Sequence, residues 1–393
     1  QAPKTSKASK ASKASKAAKA PPKSRGMARV ARAVLFAAVL YTAQIPRPHD
    51  SSMLETLAFW LDLAPQLFGA HARNSGPPHP KRDKQAYRDG LTSLPTEIDA
   101  SEAGWLPKLH SAMARTGEPA VIRGLLYDEH FGNLTELTVD RLRAEYGDTE
   151  VGVFTHMTKD KSVIDMPFSE FADKMGDASE LLYARAMPDT LDLWTKRLDL
   201  NWITDVLAGK PGGGMFTHLI TAGSSIKGKL PLAFVGSNQV WTQCHCDVGT
   251  SVFMAVQGRK RWVLYPPSQS QYLYPYGQYR NVAYNAGLDV FDPNMTHTPE
   301  FAKARGYEVT LNTGDVLIFP SFWWHGVQNL DEHTVGIDIP IFDIPGSWTR
   351  NTPLLLHSML NPLTIRDILT GIGRGNSIRG IFFAGYRTTG QKD

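Results

Sequence analysis

After Pro211 the sequence breaks into short apolar runs punctuated by glycine and proline turns. The runs at 231–235, 239–247, 251–257, 261–265, 307–311, 315–319 and 334–341 have the length and residue types of strands. A lone strand leaves its backbone polar groups and one apolar face uncovered, so a succession of short strands must pair and stack. The sequence therefore predicts a mainly β domain, a sandwich or barrel, with helices at its flanks. The stretch 266–300 is long for a loop inside such a domain, which marks it as functional. It holds Tyr272, Tyr274, Tyr276, Tyr279 and Tyr284.

Upstream, Trp105, Leu106, Leu109 and Met113 keep helical spacing, and Gly117 stops that helix. Residues 119–122 read as a strand. Thr138 caps a second helix that ends at Gly147, residues 151–154 form another strand, and a short helix at 167–175 closes at Gly176. Residues 1–26 repeat Ser-Lys-Ala, with seven lysines, one arginine and no acid, and are expected to be a disordered basic tail. Without that tail the formal charge of +4 becomes −4, so composition predicts no specific nucleic-acid binding by the folded domain.

Residues 27–48 join a basic start at Met27 to an apolar run, 33–43, which suits a signal peptide or signal-anchor and membrane association through that run. The expected location is the lumen of the secretory pathway, with cytoplasm or nucleus as the alternative. A helix and linker should occupy 49–94, the folded domain 95–345, and a helical tail 346–393. Cys244 and Cys246 are the only cysteines, too few for a disulfide framework or a four-thiolate site.

The chemistry concentrates in Trp241-Thr-Gln-Cys-His-Cys-Asp247. Side chains on a strand alternate faces, so His245 and Asp247 share one face while the cysteines pack on the other. The third ligand is expected to be His325, in Phe319-Pro-Ser-Phe-Trp-Trp-His325. Two neutral imidazoles and one carboxylate hold iron(II) and leave three positions open, two for a bidentate 2-oxo acid and one for dioxygen. His297 and His333 are expected at the surface.

Three segments together resemble the JmjC, cupin-like hydroxylases, including the asparaginyl hydroxylase of hypoxia-inducible factor. They are His245-Cys-Asp247, Phe253 to Pro267, and Gly314-Asp to Trp-Trp-His325, with Glu118-Pro-Ala-Val-Ile-Arg-Gly124 upstream. The resemblance covers roughly residues 95–342 and implies a double-stranded β-helix (jelly-roll) domain that uses Fe(2+), 2-oxoglutarate and O2. It implies that Lys260 pairs with the far carboxylate of 2-oxoglutarate and that Thr242 hydrogen-bonds the same group. Thr242 has the opposite parity to His245, so a bulge must turn it inward. Ser251 stands where a relative has a co-substrate-contacting asparagine. Asp338 departs from the pattern, since relatives often have asparagine there. A carboxylate beside bound 2-oxoglutarate repels it unless it is protonated, paired with a cation, or out of register.

The function expected is hydroxylation of a protein or peptide side chain. The alternatives are N-methyl-lysine demethylation and a non-catalytic cupin-type binding module. Two cysteines cannot build zinc-dependent reader modules, which favours the first. The tyrosine-rich loop is expected to hold an extended peptide over the metal.

Overall fold

The computed structural model describes residues 90–154, 163–177, 181–185, 198–209, 232–277, 284–342, 350–351 and 354–355. The basic tail, the apolar run 33–43 and most of 346–393 lie outside these residues. Among the described residues no helix is long and apolar enough to cross a membrane.

In chain order the strands and helices are β1 (Leu91–Ser93), β2 (Glu97–Asp99), α1 (Trp105–Thr116), β3 (Ala120–Arg123), α2 (Val139–Tyr146), β4 (Glu150–Phe154), β5 (Val163–Pro167), α3 (Phe168–Met175) and β6 (Tyr183–Arg185). There follow β7 (Leu232–Gly236), β8 (Trp241–Cys246), β9 (Gly249–Gln257), β10 (Lys260–Tyr265), β11 (Tyr276–Gly277), β12 (Tyr284–Asn285), β13 (Gly306–Leu311), β14 (Val316–Phe319), β15 (Trp324–Asn329) and β16 (Thr334–Phe342). A π-type helix at Trp202–Leu207 precedes β7.

The strands form two sheets. The smaller runs β1-β13-β10-β15-β8-β12-β11 and the larger β2-β3-β14-β9-β16-β7-β6-β4-β5. Chain neighbours largely swap sheets: β7, β9, β14 and β16 lie in the larger, β8, β10, β13 and β15 in the smaller. This alternation is the double-stranded β-helix. Side-chain parity then sorts the core into three layers. Between the sheets stand Phe253, Trp262, Leu264, Leu317 and Phe319. On the far side of the larger sheet, Val252, Met254, Ile337 and Ile339 pack with Leu109, Leu142 and Phe171 of the helices. Burial of both its faces explains why β9 reads as an almost unbroken apolar run.

Local chemistry sets the helix ends. Gly117 adopts φ 63° and returns its N–H to Met113 O, closing α1. The Thr138 side chain accepts from Arg141 N–H at 3.3 Å, a cap worth about 1 kcal/mol.

Two expectations need correction. Strand β1 pairs in parallel with β13, so the folded unit begins before residue 95. Of the expected helical tail, Leu354 and Leu355 are helical and buried against the outer face of the smaller sheet, and most of the remainder lies outside the described residues. The stretch 266–300 is no open loop: it holds short 3-10 turns at Pro267–Leu273 and Pro299–Lys303 and the β11–β12 pair. Its Tyr272 and Tyr284 are buried in the same outer layer, and Tyr284 Oη donates to Leu354 O at 2.8 Å. Aromatic content pointed to a peptide platform, but these two rings pack on the face opposite His245 and His325. The side chains of Tyr276 and Tyr279 lie outside the description.

Candidate metal centre

Strands β8 and β15 are antiparallel neighbours, and His245 and His325 stand directly opposite each other with ring centroids 4.2 Å apart. Asp247 follows β8. Its Oδ2 is 3.6 Å from His245 Nε2 and 3.9 Å from His325 Nε2. The three ligand atoms lie within 4.8 Å of one another.

Both histidines are oriented by the same device. His245 Nδ1 is 2.8 Å from Gln243 O, and His325 Nδ1 is 3.0 Å from Trp323 O. A carbonyl only accepts, so each Nδ1 carries the proton and each Nε2 presents a bare lone pair. Burial, with the nearby His245, holds His325 well below the usual imidazole range, so it stays neutral as a metal ligand must. Asp247 is tied to the second ligand strand by backbone, since Phe322 N–H donates to Asp247 O at 2.8 Å. Phe322 reaches that carbonyl from φ 63°, a conformation that costs a non-glycine residue about 1–2 kcal/mol. The strain sits in the turn that delivers His325.

A cavity of about 70 Å³ opens beside these ligands, lined by Tyr183, Phe234, Thr242, Lys260, Trp262 and Asp338 among others. Drug-sized and nucleotide-sized ligands occupy pockets of roughly 300–1,000 Å³, so this one suits a small molecule. Lys260 is 1% exposed. Its Nζ donates to Asn329 Oδ1 at 2.7 Å and to Thr334 Oγ1 at 3.0 Å, both neutral. Burial without a counter-ion lowers its pKa to about 7. The expected bulge is present: on β15 His325 and Val327 are two positions apart, while their partners on β8, His245 and Thr242, are three apart. Thr242 thereby lines the cavity, with its Oγ1 3.2 Å from Tyr183 Oη.

Ser251 reaches the site indirectly, its hydroxyl donating to Asp338 Oδ2 at 3.2 Å. Asp338 pairs with Phe253 across β9–β16, so its register does face the cavity. Burial, then the charge of Asp247, pushes its carboxyl well above the usual carboxylate range. The shift favours the protonated acid, which lessens the repulsion expected for an ionised group. Cys244 and Cys246 are buried in the outer layer, on the opposite face from His245.

Strand parity and the metal motif point to His245, Asp247 and His325, and the structure brings them together. Sequence reasoning missed Tyr183, Asn329 and Thr334. Tyr183 sits on a three-residue strand with little pattern of its own. Counting two and four from His325 would have placed Val327 and Asn329 on the ligand face, and Asn329 pairs with Lys260 in the register.

The donor set fits a resident divalent iron. Two ligands each about 2.1 Å from one ion stand at most about 4.2 Å apart, and both nitrogen–oxygen separations fall inside that limit. Two imidazoles and a carboxylate on one side of an open site is the non-haem iron(II) arrangement, whereas thiolates would favour zinc or clusters.

Comparison with known proteins gives a consistent picture. The profile of the cupin-like domain family matches residues 107–339. HSPB1-associated protein 1 of Rattus norvegicus is 41% identical over 107 residues, covering 27% of this chain and 22% of that protein. Its homolog from Danio rerio is 32% identical over 145 residues, 36% of this chain and 32% of the relative. The tRNA wybutosine-synthesizing protein 5 of Homo sapiens is 41% identical over 101 residues, 26% of this chain and 30% of the relative. The matches thus span less than a third of each of these relatives.

Proposed function

The chain belongs to the cupin-like domain family, and from that premise we propose that it is an iron(II)- and 2-oxoglutarate-dependent oxygenase that hydroxylates a protein or peptide side chain. The observation that carries the reading is one cavity with two chemically distinct walls. His245, Asp247 and His325 stand on one, and the buried Lys260 with Thr242 and Tyr183 on the other. A small molecule with a chelating 2-oxo acid at one end and a carboxylate at the other matches both. A binding module has no need of such a pair.

Each side chain has a defined task. His245, Asp247 and His325 hold the metal and leave adjacent positions open. Lys260 supplies a charge-assisted hydrogen bond to the distal carboxylate, and the Thr242 and Tyr183 hydroxyls flank it. Phe253, Trp262 and Phe319 exclude water around the bound acid. Iron(II) at this centre supplies activation of dioxygen coupled to decarboxylation of the 2-oxo acid. In sum, a C–H bond, O2 and 2-oxoglutarate become a C–OH, succinate and CO2, one oxygen atom entering each organic product. The side chain of Asp247 is 38% exposed and that of His325 only 6%, so the substrate approaches from the Asp247 side.

The test is mass spectrometry of products, with succinate release, from the full chain supplied with iron(II), 2-oxoglutarate and a peptide library containing methylated lysines. One added oxygen on an unmethylated peptide supports the proposal. Demethylation with formaldehyde release would replace it with the demethylase reading. Oxidation confined to a tRNA substrate, the class named for one relative, would overturn the peptide assignment.

A pH dependence follows from Lys260. Its pKa in the empty cavity is about 7, and a bound carboxylate favours the charged form. At pH 6 the ammonium is already present, and binding takes up no proton there. At pH 8 most of it is neutral, so binding takes up close to one proton. Affinity for 2-oxoglutarate should therefore fall about tenfold per pH unit above 7. Calorimetry at pH 8 in buffers of different ionisation enthalpy measures the uptake, and its absence would remove Lys260 from the site.

A further inference from the structure

Lys260 does not stand in the cavity as a free lysine. An ammonium has three donors. Two are taken by Asn329 Oδ1 and Thr334 Oγ1, which leaves one for whatever enters. Both acceptors are themselves fixed. Asn329 Nδ2 donates to Ser237 O at 3.0 Å, which settles the amide orientation with Oδ1 toward the lysine. Thr334 Oγ1 donates to Gly236 O at 3.0 Å, so its lone pairs face Lys260. All three residues are at most 2% exposed. Room for the arrangement comes from Gly236, where a Cβ would stand 2.7 Å from the Tyr183 ring and 2.9 Å from Asn329 Nδ2.

From this geometry we infer that Asn329 and Thr334 are positioning residues that lock Lys260 and make the cavity selective for a 2-oxo diacid of one length. The inference rests on the reading of the cavity as a 2-oxo acid site. The two acceptors are neutral, which matters as much as their position. They fix the ammonium without neutralising it, so its charge stays available for an incoming carboxylate. A lysine held at two points cannot follow a carboxylate displaced by one methylene, whereas a free four-carbon side chain could.

Two kinds of variant separate charge from rigidity. Asn329→Asp places a carboxylate on Lys260 and should weaken 2-oxoglutarate binding at least tenfold. It should leave the affinity for 2-oxobutyrate, which has no distal carboxylate, within about twofold. Asn329→Ala and Thr334→Val free the lysine, and each should lower the preference for 2-oxoglutarate over 2-oxoadipate at least threefold. Binding is read by calorimetry on the full chain loaded with manganese(II), which needs no turnover. Melting curves confirm folding, and Thr334→Val, nearly isosteric, carries the test if an Asn329 variant fails to fold. Wild-type binding with unchanged affinity in Asn329→Asp and unchanged preference in the other two would overturn the inference alone. Failure of the wild type to bind 2-oxoglutarate would overturn the function proposed above, and this inference with it.

Discussion

Asp247→Ala should abolish 2-oxoglutarate turnover and lower metal affinity by more than the 10–100-fold typical of losing an outer-shell partner. The variant should keep its fold. Asp247 lies beyond the end of β8 with its side chain 38% exposed, so truncation opens no cavity in the packed layers. Its backbone carbonyl, which accepts from Phe322, is untouched by the substitution. Metal content by elemental analysis, succinate release and a melting curve check the three parts. Turnover close to that of the wild type would reject Asp247 as a ligand.

Lys260→Met should separate stability from function. The substitution removes a charge-assisted hydrogen bond worth about 1.5–3 kcal/mol, so the 2-oxoglutarate requirement should rise between about tenfold and 150-fold. Two opposing effects act on stability. A lysine held near pH 7 in the fold but ordinary when unfolded disfavours the folded state by on the order of 5 kcal/mol below pH 7. Methionine removes that cost but leaves the Asn329 and Thr334 oxygens without a donor, at about 1–3 kcal/mol each. These are similar in size, so the melting temperature near neutral pH should move by only a few degrees. The sign of the pH trend is sharper. Between pH 7 and the unfolded value the unfolded wild type binds more protons, so its stability rises with pH across that window. The methionine variant lacks this rise, and its relative stability should be greatest at acid pH. A parallel pH dependence for the two proteins would show that Lys260 is not buried as described.

What could be read from the chain, and what could not, divides by how local the signal is. The paired strands β8, β9, β10, β13, β14, β15 and β16 announce themselves by turns and apolar runs. The metal ligands follow from parity on one strand and a single distant histidine. Strands β1, β2 and β6 have three residues each, too few to show a period, and owe their existence to the neighbours they pair with. Asn329 and Thr334 sit in Gln-Asn-Leu-Asp-Glu-His-Thr, which reads as a turn until register sets Asn329 opposite Lys260. Tyr272 and Tyr284 misled because composition counts aromatic rings without saying which face of a sheet they cover. Asp338 looked like a fault in the pocket, since sequence cannot report that burial pushes its carboxyl well above the usual carboxylate range.

The cysteines that alternate with the metal ligand on β8 give that strand a built-in reporter of its own opening. Burial raises both thiols well above the ordinary cysteine range, so neither reacts while the strand stays paired. Labelling by a thiol reagent then requires β8 to separate from the layer over its outer face. The labelling rate becomes a clock for local opening at the strand that carries His245 and Thr242. A ligand bound to both β8 and β15 closes that route, because opening would have to break its contacts with one strand or the other. Metal, and then 2-oxoglutarate, should each slow the clock, and occupancy of the site becomes measurable without chemistry at the substrate.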